Sequence, residues 1–209
     1  MPAGARTSAE LIAGDAGPAN LILDGFVRRI SSGQIQYDDG GELGLEGTPG
    51  PEVVEKMLLD PWFARPLPRS AGREEFGDQW LDRFERAARA LTADADRMAT
   101  LVTICARAVA DQVDLFAERW KRTDQARVLV TGGGRKNRAV MNALVELLPG
   151  HRVEAIEAIG EDGDAKEAVD FAWLARQRRS RIPLDLASLT GASQNAVAGA
   201  LYLAPEQSA

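Results

Sequence analysis

The sequence predicts an α/β fold, a mixed sheet with packed helices, and three observations carry that expectation. Arg127 to Thr131 is a short apolar run that reads as a buried strand. Gly132, Gly133 and Gly134 make a tight turn after it, and Asn137 can cap the helix that follows at once. Met141, Leu144, Val145 and Leu148 share one face of that helix, and Pro149-Gly150 ends it. Arg152 to Ala158 then reads as a weaker strand. Ala165 to Arg179 reads as a helix with an almost wholly apolar middle that includes Val169, Phe171, Trp173 and Leu174. Strand–helix–strand–helix is the alternation of an α/β unit.

Upstream, Leu11 to Ala13 is the stub of a strand running into the turn Gly14 to Pro18, and residues 1–14 are otherwise expected to be irregular. Pro18 sits where a helix begins, with Ile22, Phe26 and Ile30 at helical spacing. Gly33 to Gly50 is polar and glycine-rich and reads as a loop. Pro51 opens a short helix carrying Val53, Val54, Met57 and Leu58. Pro61, Pro66 and Pro68 deny the next stretch a continuous helix. Phe76, Trp80 and Phe84, four apart, mark another helix. Thr92 or Asp94 caps the longest one, whose apolar stripe runs through Met98, Leu101, Val102, Cys105, Val109, Val113, Phe116 and Trp120. Such a stripe packs on a sheet or on another helix. After Thr190 to Ser193, a last apolar segment reaching Leu203 is a further strand candidate.

The composition is that of a soluble globular protein: 209 residues, 45% apolar and 27% charged, enough for one large domain or two small ones. A formal net charge of −6 argues against a nucleic-acid partner or an anionic membrane surface. The single cysteine, Cys105, allows no internal disulfide and fits a reducing cytosol. No signal-peptide core is evident, and no run approaches the ~20 apolar residues of a membrane span, so a cytoplasmic location is expected. His151 is the only histidine, which speaks against a metal cluster, and it reads as an exposed loop residue. Cys105 lies in the long helix's apolar stripe and reads as core, not nucleophile. The four arginines between Arg176 and Arg181 read as a solvated helix end, where cations complement the macrodipole.

Two features point to chemistry. Glycines at a strand–helix junction let backbone N–H groups and a helix N-terminus approach a phosphate, ribose or adenine. The pattern is neither G-x-G-x-x-G nor a Walker loop, so a tight turn with no ligand is the competing reading. The second feature is acidic: Glu161, Asp162 and Asp164 form a loop, and Glu167 stands at the start of the apolar helix. A carboxylate there can accept hydrogen bonds from sugar hydroxyls, or it can simply be solvated.

Several segments together resemble the anhydro-N-acetylmuramic acid kinase family. Val128 to Asn137 is similar to that family's adenosine motif. Gly163 to Ala175 resembles its Glu-Ala-x-x-Phe-Ala-Trp-Leu-Ala helix, and Leu189 to Ser193 its Val-Thr-Gly-Ala-Ser ending. Asp60 to Phe76 resembles its proline-rich Tyr-Phe-x-x-Pro-Pro-Pro-Lys-Ser-Thr-Gly-Arg-Glu stretch, and Asp15 to Asn20 resembles Asp-Thr-Gly-Pro-Gly-Asn. The matches fall in the family's order and span nearly the whole chain.

The resemblance implies a sugar kinase of the actin-like, ribonuclease H-like ATPase superfamily, using ATP and Mg2+. Such an enzyme opens the 1,6-anhydro ring of anhydro-N-acetylmuramic acid with water and phosphorylates O6 in cell-wall sugar recycling. By the same resemblance Gly132, Gly133, Gly134 and Asn137 bind the nucleotide. Glu167 faces the sugar, and Asp15 and Gly17 lie at the cleft turn. The family's Gly-Thr-Ser-x-Asp-Gly phosphate loop, its Asn-Ile-Gly-Gly-Ile-Ala-Asn motif and the catalytic Asp between them do not occur in this sequence. The chain is therefore expected to be a single domain, part of the C-terminal lobe, with no catalytic residue of its own. It would work with an N-terminal lobe partner or as a homo-oligomer, or persist as a non-catalytic nucleotide- or protein-binding descendant or a relic. Ala16, Ala19 and Ala71 depart from the family pattern. So does Arg135, which stands where the family usually has a small residue, a place from which a long side chain can crowd or stack on the adenine.

Overall fold

The computed structural model describes residues 11–119 and 125–202. Its centre is α6, Asp94–Arg119, whose buried face includes Met98, Leu101, Val102, Ile104 and Cys105. On one side of α6 lie α1 (Asn20–Ile30), α3 (Pro51–Leu58) and α5 (Asp78–Ala87). Pro51 occupies the first turn of α3, where a missing N–H costs nothing. The predicted Phe76–Trp80–Phe84 helix is split: α4, Arg73–Phe76, stops at Gly77, where any Cβ would stand 2.2 Å from the Arg73 carbonyl oxygen. The aromatic series still forms. The Trp80 ring lies parallel to Phe84 at 6.2 Å, and Phe84 meets Phe26 edge-on at 6.3 Å, joining α5 to α1.

The glycine-rich stretch from Gly33 to Gly50 is not simply a loop. It contains α2, Glu42–Glu46, started by the Asp38 carboxylate, which accepts the N–H groups of Leu43 (2.9 Å) and Gly44 (3.0 Å). Its glycines Gly41, Gly44 and Gly47 are close-approach points. A Cβ on Gly44 would lie 3.0 Å from the Ala139 methyl, and one on Gly47 would fall 1.9 Å from the Ala95 carbonyl oxygen. They let α2 lie directly on α6 and on the helix that follows Asn137.

Beyond Ala106 the core changes partners. Ala106 and Ala110 of α6 pack with Leu144 of α7 (Arg138–Leu147) and Leu148, and half-buried Val128, Val130 and Val153 close the cluster. These valines belong to β1 (Arg127–Val130) and β2 (Arg152–Ala155), a parallel pair with Arg127 opposite Arg152 and Val130 opposite Ala155. The protein is thus α/β but mostly helical, and among the described residues its sheet has two strands. Three expectations are corrected here. Leu11 to Ala13 is not a strand. The second strand ends at Ala155, and Ile156–Ile159 turns into a short 3-10 helix. Among its described residues the last apolar segment contributes a single antiparallel bridge, Leu184 to Ala196. Trp120 and Leu203 lie outside the described residues.

Two further helices follow, α8 (Lys166–Arg179) and α9 (Ala187–Thr190). No residue of α8 is buried.

Thr100 shows how α6 anchors its surroundings. Its hydroxyl is fully buried, accepts the Gly50 N–H at 2.9 Å at the entrance to α3, and donates to the Asp96 carbonyl at 2.6 Å. Thr100→Val keeps the shape and orphans the Gly50 N–H, so a loss of about 1–3 kcal/mol is expected in urea unfolding. An unchanged midpoint would mean that this N–H finds another acceptor.

Candidate functional site

The glycine turn forms as a strand–turn–helix junction. After β1, Gly132 takes φ 70° and ψ −166°, a backbone state that side-chain-bearing residues avoid. Gly133–Lys136 makes a 3-10 turn, and Asn137 then caps α7: its side-chain oxygen accepts the Val140 N–H at 3.0 Å. Asn137 is buried, held from behind by Gly41, where a Cβ would fall 2.2 Å from that same oxygen. On the other side the turn is open: nothing lies within 4 Å of a Cβ built on Gly132.

One residue that the sequence reading did not select belongs to this site. Asn20, the first residue of α1, lays its amide against the turn, with Nδ2 3.2 Å from a Cβ built on Gly133 and Oδ1 3.7 Å from one on Gly134. The starts of α1 and α7 therefore meet at the glycines. The signal was available, because Asn20 closes the Asp15-to-Asn20 stretch already singled out.

Asp15 and Gly17 sit earlier in that stretch and are engaged with the proline-rich segment. The Asp15 carboxylate accepts the Ala71 N–H, and its backbone N–H donates to the Arg69 carbonyl at 2.9 Å. Arg69 in turn donates to the carbonyls of Asp15 (2.9 Å) and Ala16 (3.2 Å) while its guanidinium stands over the Trp62 ring. A Cβ on Gly17 would lie 3.0 Å from the Ala108 methyl and 3.3 Å from the Phe63 ring, so the turn passes too close to α6 for a larger residue.

Glu167 is exposed in the first turn of α8. Beside it a cavity of about 300 Å³ opens between Ile156, Glu161, Asp162, Lys166 and Val169. The loop before α8, not Glu167, is what reaches the glycine turn. Arg135 Nε donates to Glu157 at 2.7 Å, and its guanidinium lies 3.0 Å from Asp164. The Arg135 side chain is folded into this acidic loop and only 6% exposed. Its bond to Glu157 raises the Arg135 pKa. In return Arg135 holds the Glu157 carboxyl below its ordinary value, and Lys136, then Arg135, do the same for Asp164.

Cys105 is core, as its position in the stripe implied. Burial pushes its thiol up to about 12, and Sγ donates to the Ala19 carbonyl. A thiol so held is no nucleophile at neutral pH. His151 corrects an expectation: it is not an exposed loop residue. Its side chain is 11% exposed, Nδ1 accepts the Ala126 N–H at 3.2 Å, and Nε2 lies 3.8 Å from Asp114. It holds the backbone just before β1 and stands beside Asp114 of α6. Among the described residues no helix is long and apolar enough to cross a membrane, and no three His, Cys, Asp or Glu side chains are grouped to hold a metal ion. Against known families, the sequence matches the model described as Anhydro-N-acetylmuramic acid kinase over residues 6–204.

Proposed function

The chain belongs to the anhydro-N-acetylmuramic acid kinase family, and on that premise we propose that it supplies the adenine-nucleotide-binding part of such a kinase. The reaction adds water across the anhydro bridge of the sugar, transfers the γ-phosphoryl group of ATP to O6 and releases ADP. The observation that supports this reading is the open junction at Gly132, flanked by the Asn137-capped start of α7 and by Asn20 at the start of α1. Backbone and amide groups there suit a nucleotide at close range, and helix N-termini favour its negative charge. In this reading Gly132, Gly133, Gly134 and Asn137 form the nucleotide turn. Glu167 and the neighbouring cavity face the sugar, and Asp15 and Gly17 shape the cleft. Mg2+ would enter with the phosphates of ATP; no described residue is assigned to it. Phosphoryl transfer depends on positioning from both sides of the phosphates, so a lobe carrying the phosphate loop and the catalytic Asp would complete the site. A cytoplasmic location goes with this role.

Thermal unfolding with and without millimolar ATP tests the reading. A ligand at 100 times its dissociation constant adds about 2.7 kcal/mol to the folded state. For a chain of this size that raises the midpoint by roughly 5–10 °C. Gly133→Asp, which places a carboxylate against Asn20 and in the cradle, is expected to abolish the rise. No rise in the parent chain, or an equal rise in the variant, would sink the proposal.

A further inference from the structure

The contact between the glycine turn and the acidic loop is more than a pair of ion bonds. Arg135 uses its guanidinium in three directions: toward Glu157, toward Asp164, and back to the Gly132 carbonyl at 2.9 Å. Gly163 lies flat against the guanidinium, so that a Cβ there would fall 2.4 Å from Nε. The Gly163 N–H points to the same Glu157 oxygen that accepts from Arg135. Lys136 adds a bond of 2.7 Å to the second oxygen of Asp164. Asp164 is in turn fixed to the start of α8. The Asp162 carboxylate accepts the N–H groups of Asp164 (2.8 Å) and Ala165 (3.2 Å), one residue before the helix begins.

We propose that Arg135 is a positioning residue that locks the glycine turn to the loop Glu157–Asp164, and so makes the turn and the first turn of α8 one unit. Its ligand side rests on the nucleotide reading above, while its geometry does not. A planar five-donor fork can satisfy three acceptors in three directions at once, which a lysine ammonium at the same place cannot do with fixed orientation. The two cations of the turn meet two carboxylates, so no net positive charge is left to attract phosphates. Arg135 therefore acts through the backbone it holds. Binding at the turn and order at the start of α8 then become coupled in both directions.

Hydrogen exchange read by mass spectrometry on the whole chain tests this, with Arg135→Ala and Arg135→Lys beside the parent. Without nucleotide, Arg135→Ala is expected to speed exchange across residues 157–165 while the helices around Trp80 keep their protection, and Arg135→Lys to restore part of the loss. ATP is expected to slow exchange across 157–165 in the parent but not in Arg135→Ala, whose ATP affinity falls roughly 5- to 100-fold. Unchanged exchange across 157–165 in Arg135→Ala overturns the lock. So does an ATP affinity that is unaffected or improved by that substitution. If the parent binds no ATP, the nucleotide reading fails, and exchange in the ligand-free variants still decides whether the lock exists.

Discussion

Gly41→Ala is expected to destabilise the protein by about 2–5 kcal/mol and to remove nucleotide binding along with it. Two costs combine. Gly41 has φ 76°, a left-handed state that costs a side-chain-bearing residue about 1–2 kcal/mol. The new methyl would also fall 2.2 Å from the Asn137 side-chain oxygen and 2.8 Å from the Ala139 backbone nitrogen. Overpacking against backbone adds about 1–3 kcal/mol, because neither α2 nor α7 can withdraw without opening the core. The atom displaced first is the oxygen that caps α7, so the damage reaches the glycine turn directly. Gly33→Ala is the control. Gly33 has φ 81° and nothing within 4 Å of a Cβ, so it shows the backbone cost alone, about 1–2 kcal/mol. Equal melting losses for the two variants would show that the packing of Gly41 on Asn137 is unimportant.

Gly41 also shows where the sequence was legible and where it was not. Elements set by local chemistry could be read: Pro51 opens α3, Asn137 caps α7, and the stripe from Met98 to Cys105 is the buried face of α6. Elements set by tertiary contact could not. Glycines of the 33–50 stretch look like flexible punctuation in sequence, yet Gly41, Gly44 and Gly47 are the points where backbone meets another helix. The cap of α2 comes from Asp38, outside the helix and across two glycines, a spacing no local rule anticipates. His151 looked exposed because its partners, Ala126 and Asp114, are remote in sequence. The candidate site divides the same way. The strand, the glycines and the cap were visible, whereas the placement of Asn20 and the inward turn of Arg135 depend on α1 and on the acidic loop folding over the turn.

In solution the isolated chain is expected not to behave as a monodisperse monomer. On α6, Leu101 is fully buried, and Val109 and Phe116 are half-buried. Helices α2 and α3 supply cover for α6, the helix packing that its apolar stripe allows. The bare surface lies on α8: Val169 is 63% exposed, Phe171 69% and Trp173 50%. At 100° per residue Val169 and Trp173 share one face and Phe171 lies on the opposite one, so α8 carries exposed large apolar side chains on two faces. The sheet points the same way. Parallel strands are ordinarily covered and flanked, yet among the described residues β1 and β2 each pair on one side only. Size-exclusion chromatography with light scattering should therefore show self-association, relieved by co-expressing the N-terminal portion of a related kinase. Phe171→Glu with Trp173→Glu should shift the chain toward monomer without lowering its melting midpoint, because neither side chain contributes to the core. A compact monomer with a sharp cooperative melt and no partner would overturn this expectation and show that α8 is stable bare.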